Sequence, residues 1–174
     1  LATGGVFGSI NVTLVAVSKH LGNEAAGGLL VSLFSVGSLT MGFVYGAIHF
    51  KSSPVVRWVV AAGLFVVCSA PLLFAAASIG SVAVAVAIAG CVIAPTMIAG
   101  HTIVALVVPG VRRPEGFGWM SATTALGITV GSVIAGHFID GGRPTWGFAV
   151  LVGSATTAFL ISLLAFRPLA RSVS

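Results

Sequence analysis

Long apolar blocks separated by short polar breaks run the length of this 174-residue chain. Reading each break as the end of an element predicts six helices, near residues 1–18, 25–50, 58–77, 82–108, 116–139 and 147–166. The blocks are about eighteen to twenty-seven residues long, enough for a helix to cross a hydrocarbon core of about 30 Å. Gly, Pro and other turn formers mark the joints: Leu21-Gly22-Asn23, Ser52-Ser53-Pro54, Pro109-Gly110 and Gly141-Gly142-Arg143-Pro144. All the joints are short, so consecutive helices are expected to be antiparallel neighbours, with no room for a soluble domain. The pattern predicts an all-α membrane protein, one six-helix transmembrane domain over residues 1–174, or half of a larger bundle.

Composition sharpens this. Only 6 % of residues are charged, against about a quarter in soluble domains, and mean hydropathy is +1.16. Six of the eight Lys/Arg residues fall on one side of the predicted bundle: Lys51, Arg57, Arg112, Arg113, Arg167 and Arg171. Lys19 and Arg143 fall on the other. The positive-inside rule then puts both chain ends in the cytoplasm of a multi-pass protein of the cell membrane, in contact with the lipid bilayer. The net charge of +5 does not point to nucleic acid, because the basic residues sit singly or in pairs with no interleaved aromatic stripe. Cys68 and Cys91 lie inside apolar blocks, and no Cys/His spacing suggests a metal or other cofactor. The first block lacks a basic leader and a cleavage site, so it is not a signal peptide. Leu1 is no start methionine, and the chain is expected to begin partway through a longer one.

Small residues recur at helical spacing. Gly28, Ser32, Ser35, Leu39, Gly42 and Gly46 do so in the second block, Thr123, Gly127, Gly131 and Ala135 in the fifth, and Gly4 and Gly8 in the first. In lipid such stripes allow close backbone approach, either in static packing or on surfaces that slide. Pro95 should kink the fourth helix, with Thr96 able to satisfy the freed carbonyl, as a gate or as a packing bend. One internal echo is present: His49-Phe50 precedes Trp58 at the spacing with which His137-Phe138 precedes Trp146. It fits helices one to three and four to six being inverted repeats.

Catalytic constellations are absent. Glu24, Glu115 and Asp140 are the only carboxylates and all sit at block ends, so an enzyme is not expected. The polar groups well inside blocks are hydroxyls, one amide and one imidazole, with His49 and His137 near block ends. Asn11 stands out, since its own helix cannot satisfy its amide as cheaply as a hydroxyl. His101 is the titratable side chain deepest in a block, read either as an interfacial histidine or as a substrate contact or proton relay. Trp58, Trp119 and Trp146 lie near block ends and read as interfacial belt anchors; Trp119 also reads as a cavity wall leading into Ser121-Ala122-Thr123-Thr124. Candidate cavity residues are Asn11, Ser35, Thr96, His101, Trp119, Thr123 and Thr124.

These residues sit in a sequence that resembles the C-terminal six-helix half of a major facilitator superfamily transporter. The resemblance is carried by Ala26-Gly27-Gly28 through Ser38 to Tyr45-Gly46-Ala47, by Ala94-Pro95-Thr96, and by Arg112-Arg113-Pro114-Glu115-Gly116-Phe117-Gly118-Trp119. It continues to Gly127, Gly131-Ser132, Ala135-Gly136 and Asp140, and is nearest to bacterial efflux permeases. It implies alternating access, a partner N-terminal six-helix half, and a midplane site lined by spans one, two, four and five, with three and six facing lipid. In the loop motif near Gly46 to Val55, Phe50 stands where the family carries an acid, which puts a charge-relay gate there in doubt. No carboxylate lies at mid-membrane depth, so a proton carrier would be His101 or belong to the missing half. The expected activity is proton-coupled secondary export of a small, drug-like, uncharged or cationic molecule. A non-transporting six-helix scaffold is the alternative.

Overall fold

The computed structural model describes residues 1–50 and 52–173; Lys51, used above for topology, lies outside them. The α-helices are α1 (Ala2–His20), α2 (Ala26–Ala47), α3 (Pro54–Ser69), α4 (Ile79–Val107), α5 (Arg113–Asp140) and α6 (Trp146–Val173). Short 3-10 turns cover Ala70–Leu73, Ala75–Ala77 and Gly110–Arg112, and no strand occurs among the described residues. Five helical stretches are long and apolar enough to cross a membrane. The exception is α1, 19 residues long and diluted by Asn11, its small hydroxyl residues and Lys19.

Local chemistry explains where the helices depart from the predicted blocks. The second stops at Ala47, because Ile48 turns extended (φ −84°, ψ 125°). The third begins at Pro54 rather than 58, since a proline at a first-turn position lacks only an N–H that would have no partner anyway. It leaves α-geometry after Ser69, where Pro71 can neither donate nor clear the preceding turn. Ser78 opens α4 with a reciprocal cap: Ser81 N donates to Ser78 Oγ and Ser78 N donates to Ser81 Oγ, both at 3.2 Å. From there α4 is assigned helical without a break across Pro95. The Thr96 hydroxyl donates to Val92 O at 3.0 Å. The carbonyl that Pro95 deprives is that of Cys91, so Thr96 does not relieve it as the sequence suggested; its own helical register aims it one residue further on.

Helix pairing rests on backbone contact. A Cβ at Gly4 would collide with the Thr124 carbonyl and lie 2.9 Å from Gly127 Cα, and one at Gly131 would lie 2.7 Å from Gly5 Cα. Gly8 meets the Ile128 carbonyl in the same way, and Ser132 Oγ donates to Gly8 O at 3.2 Å. Contacts advance together along both chains, so α1 and α5 run parallel. The α2–α4 pair is built alike: Gly90 faces the Phe34 carbonyl, and a Cβ at Gly37 would lie 2.9 Å from Ala87 O. Antiparallel contacts join α1 to α6 (Gly5 beside Ser154, Thr13 beside Gly147) and α3 to α6 (Gly63 beside Phe159). The core gathers where these crossings converge, around Ile10, Leu14, Phe65, Val86, Phe148 and Leu151.

Two joints close with the same device. Gly22 and Gly142 adopt φ of +76° and +75°. Asn23 N bonds Ser18 O and Gly22 N bonds Lys19 O; Arg143 N bonds Phe138 O and Gly142 N bonds Ile139 O. Both are Schellman motifs, which need the left-handed conformation that glycine supplies at least cost. The expectation that all consecutive helices are neighbours fails at one joint: α2 and α3 hardly touch, because each spends its close-packing face on another helix.

Gly131→Val should therefore cost about 1–3 kcal/mol through overpacking at the α1–α5 crossing. Gly28→Val enters open space and should be neutral. Thermal unfolding followed by size-exclusion in detergent, on the longest natural chain containing this segment, should show a lowered midpoint for the first variant alone.

Candidate functional site

Most hydroxyls inside the helices are consumed by their own backbone. Ser35 donates to Val31 O (3.0 Å), Thr123 to Trp119 O (2.9 Å) and Thr124 to Met120 O (2.8 Å). Each is an i to i−4 bond of the kind a polar side chain makes when no water is at hand. Such a hydroxyl keeps its lone pairs but has used its only proton.

Asn11 is placed differently. It is exposed on α1, and Nδ2 donates to Phe7 O at 2.8 Å. That bond satisfies one amide proton within its own helix, more cheaply than the sequence reading allowed. Oδ1 and the second proton keep no partner among the described residues. The cleft beside it, about 280 Å³, lies between α1 and α2 and is lined by Phe7, Asn11, Phe34, Ser35, Ser38 and Leu39. Phe7 and Phe34 meet edge to face across it, centroids 6.2 Å apart at 83°. The Ser38 hydroxyl likewise has no partner among the described residues. One amide, two hydroxyls and an aromatic pair give orienting hydrogen bonds against apolar walls, the usual make-up of a small-molecule site. Phe7 and Phe34 were missed as candidates. Phe7, four residues before Asn11 on the same helical face, carried a usable signal.

The other candidates do not join this cleft. Thr96 is buried and lines a separate cavity of about 190 Å³ with Thr3, Trp58, Met97, Gly100 and Met120 among others. His101 is exposed on α4, with Nδ1 2.7 Å from Met97 O. A carbonyl only accepts, so Nδ1 carries the hydrogen and the neutral ring keeps its lone pair at Nε2. Its ring stacks on Phe117 at 6.0 Å and 18°. Trp119 is 69 % exposed, above a shallow groove with Glu115, Gly118 and Ala122. Trp58 is half-buried, with its indole nitrogen 3.5 Å from where a Cβ on Gly100 would stand. No cluster of three or more His, Cys, Asp or Glu that could hold a metal occurs among the described residues.

Membrane-length helices joined by short turns, with polar atoms kept for a cleft between two of them, are the build of an integral membrane protein. The Major Facilitator Superfamily model matches residues 1–173, and the chain belongs to that family of membrane transporters, which are not enzymes. Comparison with curated proteins and with solved structures gives no match.

Cysteines replacing Asn11 and Ser35, in a background lacking Cys68 and Cys91, should react with a charged aqueous thiol reagent. A cysteine replacing Val67, exposed on the apolar face of α3, should stay protected. Labelling rates in membranes, read by gel shift, test the cleft; equal protection at all three positions would remove it.

Proposed function

We propose that this chain is the C-terminal six-helix half of an alternating-access secondary transporter that exports a small organic molecule, uncharged or cationic, from the cytoplasm. All six helices then cross the membrane, with both ends of the segment on the cytoplasmic face, and an N-terminal six-helix half completes the central cavity. The observation that carries this reading is the cleft at Asn11. An amide with unused hydrogen-bonding capacity beside an aromatic pair is expensive in a static bundle and useful in a binding wall. A scaffold would be expected to consume such groups in helix contacts. No Arg or Lys lies at the middle of a span, which argues against a strongly anionic substrate.

A 3+3 inverted repeat is supported by how the helices pair. Exchanging α1 with α4, α2 with α5 and α3 with α6 turns the glycine-mediated α1–α5 crossing into α4–α2, and the α1–α6 pair into α4–α3. Proton coupling is assigned to His101, whose Nε2 can take a proton while Nδ1 stays bonded to Met97 O.

The full-length transporter, expressed in a strain stripped of its major exporters, should lower retention of at least one dye or antibiotic in a gradient-dependent manner. Asn11→Ala should raise the KM of that compound about 5-fold, the worth of one hydrogen bond of about 1 kcal/mol. His101→Gln should abolish gradient-driven efflux yet leave downhill exchange. Loss of both modes together would place the coupling proton elsewhere, and no efflux of any compound would overturn export.

A further inference from the structure

A larger space than the Asn11 cleft lies further along α2, on an adjacent face. Where α2 and α3 fail to touch, a slot of about 450 Å³ opens over α4. Its walls are apolar, built chiefly from Met41, Val44, Val60, Leu64 and Val92. From Arg57 to Leu64 it follows α3 for about 10 Å, at 1.5 Å per residue. The mouth lies at the joint between Ile48 and Pro54, where both helices end and a bilayer surface must therefore run.

Arg57 stands in this mouth. Its guanidinium lies 5.0 Å from the Phe50 ring centroid and 5.9 Å from that of Tyr45, whose rings are themselves 4.6 Å apart. Arg57 Nε and the Tyr45 hydroxyl are both shielded from solvent and have no hydrogen-bond partner. Among the described residues the ion pair is Lys19 with Glu24, at the opposite end of α1, and no carboxylate pairs with Arg57. A shielded donor without an acceptor is unfavourable, most of all on a charged group. The group that suits this mouth is a hydrogen-bond acceptor, and for the guanidinium an anionic one.

A free anion would satisfy the donors and leave the apolar slot empty; a bare acyl chain would do the reverse. We propose that the α2–α3 slot binds one bilayer glycerophospholipid, its phosphate accepting from Arg57 and Tyr45 and one acyl chain lying along Val60 and Leu64 over α4. The lipid closes the gap that the two helices leave and ties the start of α3 to the end of α2. The site shares no lining residue with the proposed substrate cleft.

Native mass spectrometry of the full-length transporter in mild detergent, titrated with dioleoyl-phosphatidylglycerol, tests this. One adduct should persist at low lipid, and Arg57→Gln should weaken it about 10-fold, as expected for a lost charge-assisted bond. Val60→Trp, at a position exposed on the slot's rim, should block the chain and weaken the adduct similarly without touching the charge. Arg112→Gln, a cation outside the slot, should leave it unchanged. Dioleoylglycerol and glycerol 3-phosphate should each compete poorly, one lacking the phosphate and the other the tails. Full binding in both slot variants overturns the proposal. So does glycerol 3-phosphate competing as well as the lipid, which would make this a free-anion site. Efficient cross-linking of Leu64→Cys to the N-terminal half, with no lipid bound, would mean that protein covers the slot.

Discussion

Backbone contact at glycine governs this bundle. Water drives soluble helices together, but in lipid an apolar face gains little by turning from acyl chains to a neighbouring helix. What remains is dispersion, which falls off steeply with separation, so helices bind where nothing larger than hydrogen projects between them. The α1–α5 crossing at Gly4, Gly8, Gly127 and Gly131 meets that condition, and so does α2–α4 at Gly37 and Gly90. With those crossings and the α1–α6 contact set, α1 keeps an exposed strip at Asn11 and Val15 and α2 an exposed face at Ser35 and Leu39. Asn11, Ser35 and Ser38 lie along them, and the cleft follows from the packing rather than being cut into it.

The same medium sorts the polar side chains. Hydroxyls at Ser35, Thr40, Thr102, Thr123, Thr124 and Thr129 all turn back to the carbonyl one turn earlier. A hydroxyl has one proton, and one bond exhausts it. An amide has two protons and a carbonyl, so Asn11 can satisfy its helix and still have capacity left over. An imidazole behaves similarly: His101 gives Nδ1–H to Met97 O and retains Nε2. In a helix surrounded by hydrocarbon, the groups able to act on a ligand are those with more hydrogen-bonding capacity than their own turn can absorb. By that criterion Asn11 and His101 outrank the threonines that share their helices.

Much of the fold was legible because it depends on periodicity and on end signals. Six apolar blocks became six α-helices, and the Gly22 and Gly142 joints fell where the turn residues stood. The errors came from features whose consequences are tertiary. Pro71 was counted inside a block, although it ends α-geometry. Short joints were read as neighbouring helices, but a joint fixes only how far apart two ends lie; α2 and α3 are drawn to other partners. Trp58, read as a belt anchor from its place near a block end, also packs against Gly100 of α4, which its position in the chain did not reveal. The candidate site was half legible. Asn11 and Ser35 share a cleft, while Thr96, His101 and Trp119 fall at separate places, since spacing along a chain does not say which faces of different helices converge.

The His-Phe and Trp signature occurs twice in the sequence, and the two copies pack differently. At the α5–α6 joint, Phe138 stacks on Trp146 at 5.9 Å and 22°, Arg143 covers the Trp ring, and the two helices pack together. At the α2–α3 joint, Phe50 turns to Tyr45 and Arg57, and Trp58 leaves for α4. The cause lies in the joints themselves. The Schellman turn at Gly142 folds the chain back sharply, keeping Phe138 and Trp146 within reach of each other. The α2–α3 joint instead leaves its helices extended, at ψ 125° for Ile48 and 139° for Ser53, and spreads the two ends apart. If the halves descend from one three-helix unit, their divergence is concentrated at this joint. The arginine and tyrosine donors left without acceptors are found there too, at the joint whose two helices do not pack against each other.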